Sequence, residues 1–460
     1  MELIYTILWY LPFVIAALLV LLGVVAVIAA CNDFRVGLWI ITATFLADCI
    51  TMGAPILRIG VTWFITDVPL VLIAAAAAVR WLFASTMPRR YAPWLLFALA
   101  FLGSLGVGLA INGTSAGVSA RPAFYAIAVG SYALSFPMRG EQIHRLMAAL
   151  AFAAVGLLAL SMYRWAVYLL DIRDLLPVGG VYNVDGAIRV VHANAALAIA
   201  QVAVIGVLFA GSRLVSPSMR LAAPALIAAT LVLQHRSVWL AAIVAVFVGL
   251  LLARRARTSW WQSVALVVGA VAVVGATMAL SPQLRADVSA SASRAVQGQG
   301  TVAARFDNWQ ASLGEWYSKG PAVIAMGRPP GGEQWRVLKA EEGERYLVTH
   351  GTHNHYLELL QSHGVLGLTL WLWVVAVCVA GLWRHRQAED EDRGIPSVLL
   401  ALILSQAVYF VAYNVDYMQT LILCCALAWV LQRKGVLAAA GIAPAPAHPE
   451  PGLAGAGVRG

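Results

Sequence analysis

One polar segment, Ser281 to His355, breaks a series of hydrophobic stretches that otherwise runs nearly the whole length of this 460-residue chain. Stretches of that length are stable only in a lipid bilayer, where every backbone amide must be satisfied inside its own segment and an open strand cannot cross. Only 12% of residues are charged, against about 25% in soluble domains, and 61% are hydrophobic. The expected fold is therefore an all-α polytopic integral membrane protein with 12–13 transmembrane helices and one large, partly helical loop.

Candidate spans run from Ile7–Ala30 to Tyr417–Leu431 and include Pro122–Phe136 and Ser263–Leu280. The first stretch lacks a basic start and a cleavage site and reads as a retained helix. The domain division expected is an N-terminal helix bundle over residues 1–280, the large loop over 281–355, C-terminal membrane helices over 356–433, and a disordered tail over 434–460 rich in Ala, Pro and Gly. The five cysteines all lie in or beside hydrophobic stretches, so no structural disulfide is expected in the loop.

Orientation follows from Lys and Arg. The clusters Arg89–Arg90, Arg139–Arg145, Arg213–Arg220, Arg254–Arg257, Arg384–Arg386 and Arg433–Lys434 form a consistent cytoplasmic set. Asn112–Arg121, Asp171–His192 and Ser281–His355 then face outside. The apolar chain between Arg220 and Arg254 must cross twice, which sets Gln234-His235-Arg236-Ser237 at an outer hairpin tip. The net charge of +9 is spread over short loops, as suits membrane topology and anionic head groups or phosphates rather than nucleic acid.

The polar segment ends in Thr352-His353-Asn354-His355-Tyr356, where water meets the bilayer. A neutral imidazole at His353 can take a proton from a hydroxyl nucleophile, with Asn354 orienting it or the substrate; a histidine here can equally cap the incoming helix. His350, His353 and His355 also suggest zinc, but their spacing departs from the helical i,i+4 pair and no metal site is assigned. Arg236 at the hairpin tip suits bidentate phosphate binding, or snorkelling to head groups. Arg305, opening a probable amphipathic helix with Trp309, Trp316 and Tyr317, offers a second phosphate ligand or pairs with Asp307. Arg189 leads through His192 to Asn194, which reads as a helix N-cap. Two arginines and a histidine on one membrane face, with no nucleotide-binding loop, suit a reaction in which a lipid-borne diphosphate is the leaving group.

With these residues the chain resembles the O-antigen ligase/polymerase superfamily of bacterial membrane glycosyltransferases, which are GT-C-like. The family carries a His, then Asn, Ser or Gln, nine residues, and Gly-x-x-Gly; here these are His353, Asn354, Gly364 and Gly367. Arg236 resembles the first essential arginine of the family and Arg305 the second, with Arg189 a further candidate for the same role. The resemblance implies an inverting, metal-independent transferase without cofactor, in the inner membrane with its site facing the periplasm. It implies transfer of O-antigen from undecaprenyl diphosphate to a sugar hydroxyl of lipid A-core, His353 acting as base or positioner and the arginines holding the diphosphate. The alternatives are a polymerase of the same superfamily, which the short Asp171–His192 loop disfavours, and a transporter, which would carry its polar groups near mid-membrane.

Overall fold

The computed structural model describes residues 18–59, 61–83, 91–176, 182–184, 187–253, 301–332, 336–339, 345–348, 352–386 and 394–439, with scattered positions between 268 and 293. The candidate span Ser263–Leu280, the basic residues Arg89–Arg90 and Arg254–Arg257, His350 and the tail beyond Ala439 lie outside the continuous described segments.

The chain is an all-α polytopic membrane protein. Its helices are α1 (Leu18–Asn32), α2 (Phe34–Thr51), α3 (Asp67–Phe83), α4 (Ala92–Asn112), α5 (Thr114–Leu134), α6 (Gly140–Leu170) and α7 (Ala193–Leu208). They continue as α8 (Pro217–Val232), α9 (Arg236–Ala253), α10 (Thr301–Ser318), α11 (Pro321–Met326), α12 (His355–His385), α13 (Ile395–Tyr409) and α14 (Tyr417–Ala439). By length and composition α2, α4, α6 and α12 can each cross a membrane, and α1, α7, α8, α9 and α13 are shorter apolar helices. Described β structure is confined to three antiparallel hairpins, Leu57–Ile59 with Val61–Trp63, Tyr182–Val184 with Ala187–Arg189, and Arg336–Lys339 with Arg345–Val348.

Apolar residues cover both the inside and the outside, as lipid requires. Leu19, Val20 and Leu22 on α1 and Leu99 and Ile111 on α4 are exposed, whereas α7 is buried along its whole length from Ala195 to Leu208. The many alanines of α7 let neighbouring helices approach closely, which is the main packing device where lipid removes the hydrophobic drive between helices.

Hydrogen bonds fix which helix ends lie together. At one end Arg80 donates to the carbonyls of Cys31 and Ser135, and Gln432 bonds Tyr91, the Phe136 carbonyl and the Met138 amide. The other end gathers the C-termini of α2, α4 and α6 with the N-termini of α7, α9 and α12, and is called here the His353 end.

Two boundaries differ from expectation. The helix expected to start at Pro122 begins at Thr114, so most of Asn112–Arg121 is helical rather than loop. Gly113, with φ 58°, turns the chain directly from α4 into α5, and Arg121 inside α5 pairs with Asp67 at 3.3 Å and donates to the Thr62 carbonyl. That tertiary pairing outweighs the preference of proline for a helix start. Helix α14 also runs past residue 433 to Ala439, and the residues beyond it lie outside the described segments.

The large polar segment is partly helical and docks on the bundle through backbone. Residues Gly327 to Gly331 lie across α4, α5 and α12: the Asn112 side-chain Nδ2 donates to the Pro330 carbonyl at 2.8 Å, the Ser115 hydroxyl to the Gly331 carbonyl at 3.1 Å, and the Arg328 backbone amide to the Gln361 carbonyl at 2.8 Å. Helix α12 breaks at Gly364 (φ 62°, ψ −164°), where a β-carbon would sit 2.3 Å from the Ala325 carbonyl oxygen. Gly327 (φ 77°) faces it, with a β-carbon position 2.2 Å from the His363 amide. Two left-handed glycines thus let α11 and the kink of α12 meet backbone to backbone.

Gly364→Ala adds both a clash and a strained φ, so it should cost on the order of 2 kcal/mol or more. Gly103→Ala on α4, where a β-carbon meets open space, should be neutral or slightly stabilising. Thermal melting of the purified variants in detergent distinguishes the two, and equal melting would refute the docking role of Gly364.

Candidate functional site

The α8–α9 tip lies at the His353 end. Helix α8 ends at Val232, Gln234 takes a left-handed backbone (φ 57°), and α9 starts at Arg236. Between them His235 is buried, with Nε2 3.0 Å from the Val191 carbonyl oxygen. A carbonyl can only accept, so Nε2 carries the proton and Nδ1 is a bare lone pair in the neutral ring.

Val190, the residue before Val191, is held in turn by a cation inside the bundle. Arg164 of α6 has no exposed surface. It donates to the Val190 carbonyl at 2.7 Å and to the Cys49 and Ile50 carbonyls of the last turn of α2 at 3.1 and 2.9 Å. Carbonyls at a helix C-terminus lack partners within the helix and take a cation well. The link from Arg189 to α7 is thereby set against the α8–α9 tip.

The charges then converge. Arg189, His192 and Arg305 all lie close enough to act electrostatically on His235, the residue that precedes Arg236. Burial first, and the Arg189 guanidinium next, push the His235 ring from 6.5 down to about 3, so it is neutral at physiological pH. Arg305 sits in the second turn of α10 with its guanidinium 4.8 Å above the Tyr413 ring. Tyr413 stacks on Tyr409 at 4.9 Å, and the Tyr409 hydroxyl donates to Asn194.

The same helix pins the residues around His353. One turn beyond Arg305, Trp309 donates from Nε1 to the Thr352 carbonyl at 2.8 Å. Thr352 is buried and its hydroxyl donates to the Asn354 carbonyl at 3.1 Å. The Asn354 side chain accepts from the Tyr356 and Leu357 amides at 3.0 and 3.2 Å, and the His355 amide donates to the Phe410 carbonyl at 2.9 Å. His353 is left exposed at the apex with φ 48°, a left-handed conformation rare outside glycine.

This arrangement brings Arg189 and Arg305 to the tip that carries Arg236, and holds His353 from the same helix as Arg305. The cap of α12 is Asn354, not His353, so the capping alternative for the histidine falls. Asn194 is not a cap: α7 is preceded by His192, and Asn194 accepts from Tyr409 and Gln419 because the α13–α14 connection packs beside it. Gly364 makes the kink that turns α12 away from His353. A β-carbon at Gly367 would meet His363 at 2.2 Å, so both glycines serve the bend. Of the three histidines, His353 is exposed while His355 is buried against Trp371 at 4.7 Å, and the two face different surroundings. No group of three metal-ligand side chains occurs among the described residues.

Sequence reasoning passed over Arg164, although an arginine inside a hydrophobic stretch is a recognisable signal. It saw Gln234 and His235 only as tip residues. Their burial depends on Val191, 44 positions away in sequence, and no local pattern reveals it.

A family model described as O-antigen ligase matches residues 221–372. The match spans α8 through the first half of α12 and contains Arg236, Arg305 and His353, but not Arg189 or Asn194. No curated protein matches the chain.

The unfolded chain protonates His235 near 6.5 and the folded chain only near 3, so acidification between these values favours unfolding. Stability from this residue is complete above 6.5 and should fall by about 2 kcal/mol on going to roughly pH 5. Denaturant unfolding of the parent and of His235→Gln, whose amide can still donate to Val191, should show that acid-dependent loss in the parent alone. Identical pH slopes would exclude a buried neutral imidazole.

Proposed function

We propose, on the match of residues 221–372 to the O-antigen ligase family, that the chain transfers finished O-antigen from undecaprenyl diphosphate to a sugar hydroxyl of lipid A-core. The observation that supports this most is the gathering of Arg189, Arg305 and His192 around His235, directly before Arg236, with the His353 turn tied to the helix that bears Arg305.

In the proposed reaction the acceptor hydroxyl oxygen attacks the anomeric carbon of the donor. The bond from that carbon to the diphosphate oxygen breaks, and its electron pair leaves with undecaprenyl diphosphate. Attack from the face opposite the leaving group inverts the anomeric carbon. Arg236, Arg305 and Arg189 neutralise the charge that grows on the diphosphate, as positioned cations do in phosphoryl chemistry. The exposed imidazole of His353 takes the hydroxyl proton or orients that hydroxyl. Its strained backbone is compatible with a preorganised catalytic side chain. No soluble nucleotide or cofactor is needed in this scheme.

Arg139–Arg145, Arg213–Arg220 and Arg384–Arg386 flank helix ends opposite the His353 end, which supports a cytoplasmic side there and a periplasmic site in the inner membrane. The placing of the candidate polar residues at one end rather than at mid-membrane argues against a transporter. The polymerase of the same superfamily uses the same donor and is separated from the ligase by its acceptor.

A strain lacking its own ligase provides the test, with lipopolysaccharide resolved by size on a gel. The parent should restore the ladder. His353→Asn, which suits the left-handed backbone, and Arg236→Gln should each reduce it by about a hundredfold or more at matched expression. A well-expressed parent that yields no ladder on a compatible core would remove the ligase reading and leave polymerisation.

A further inference from the structure

The α8–α9 tip carries polar groups that diphosphate binding by Arg236 does not use. Gln234 is 0% exposed, yet neither its Nε2 nor its Oε1 has a hydrogen-bond partner. Its φ of 57° is a left-handed conformation unfavourable for glutamine. A strained backbone and an unsatisfied buried amide both oppose folding, and such groups mark places where something outside the chain completes the bonding. The next residue adds a third unsatisfied atom. His235 is 1% exposed and gives its Nε2 proton to the Val191 carbonyl, so the partnerless Nδ1 is an acceptor.

Two consecutive buried residues therefore offer one amide donor and two acceptors, and their chemistry selects among ligands. Phosphate oxygens only accept and would answer the amide donor alone. A lipid tail would answer none of the three. A sugar hydroxyl donates one hydrogen bond and accepts others, so two hydroxyls of one ring can satisfy all three atoms. Position agrees with this. Consecutive α-carbons are about 3.8 Å apart, so Gln234 and His235 lie within about one sugar ring of Arg236 along the chain.

The geometry points to a sugar-binding subsite made by Gln234 and His235, which holds hydroxyls of the glycan residue bonded directly to the diphosphate. This rests on the transferase reading and deepens it: Arg236 holds what every donor shares, and the Gln234–His235 pair reads the first sugar. A site built to bond a hydroxyl discriminates strongly against a ligand that lacks it, because its own groups are then left buried and unpaired.

The experiment uses the full chain purified in detergent and follows melting as a function of added lipid. The two probes are undecaprenyl diphosphate and undecaprenyl diphosphate bearing a single N-acetylhexosamine. The parent should bind the sugar-bearing lipid about tenfold more tightly than the bare one, the worth of one or two net hydrogen bonds. Gln234→Leu and the longer Gln234→Met should melt at or above the parent without lipid, bind bare undecaprenyl diphosphate as the parent does, and lose the tenfold preference. Arg236→Gln should weaken both lipids together. A preference that survives in both Gln234 variants overturns the subsite and leaves the transferase reading intact. Lower melting of both variants without lipid also overturns it, since the amide would then be bonded within the protein. A parent whose melting neither lipid moves would remove the donor reading itself, and the subsite with it.

Discussion

Arg164 of α6 ties together the end of α2 and the link ahead of α7, helices that also pack on α6. An arginine without exposed surface in an apolar bundle would be prohibitive without partners, and carbonyls at a helix end in lipid are costly for the same reason. The two needs cancel. The fixed fork of the guanidinium reaches the Cys49 and Ile50 carbonyls of α2 and the Val190 carbonyl ahead of α7. With Val190 held, Val191 presents its carbonyl to His235, and the irregular chain from Arg189 to Ala193 stands against the α8–α9 tip. This buried cation thereby sets the Arg189 side of the charge that gathers at the His353 end.

The long polar segment is positioned by another means. Its helix α10 keeps Phe306 and Tyr317 exposed. Backbone contacts hold the described part of the segment to the bundle. Gly327 and Gly364 meet at van der Waals limits, and carbonyls of the Pro330–Gly331 turn accept from α4 and α5. An ion pair of Arg328 with Glu315 at 2.8 Å ties this turn back to α10. Contacts of this kind tolerate little displacement, which suits a segment that must hold Trp309 against Thr352 and so fix the turn bearing His353.

The candidate site combines rigid scaffolding with local strain. Gln234 and His353 are both non-glycine residues with positive φ, at two turns of the same end of the bundle. Each is over-determined by neighbours: Gln234 by the buried His235 beside it, His353 by the Thr352 and Asn354 bonds on either side. Strain retained in this way is characteristic of places where binding or chemistry uses the conformation.

Much of this was legible in the sequence, because hydropathy is a local property and lipid admits few solutions to it. The membrane class, most helix positions and the helical hairpin that makes the α8–α9 tip could be read from hydropathy and residue type, whereas only the resemblance to the ligase family set His353 apart from its neighbouring histidines and raised Arg236 and Arg305 above other loop arginines. The start of α5 could not, since the pairing of Arg121 with Asp67 overrode the local signal at Pro122. Nor could the role of Asn194, whose partners Tyr409 and Gln419 lie more than 200 positions away. Burial of Gln234 and His235, the clamp by Arg164 and the glycine contact at the α12 kink were decided by tertiary structure. Each depends on which helix ends meet, and an apolar helix carries almost no local information about its neighbours.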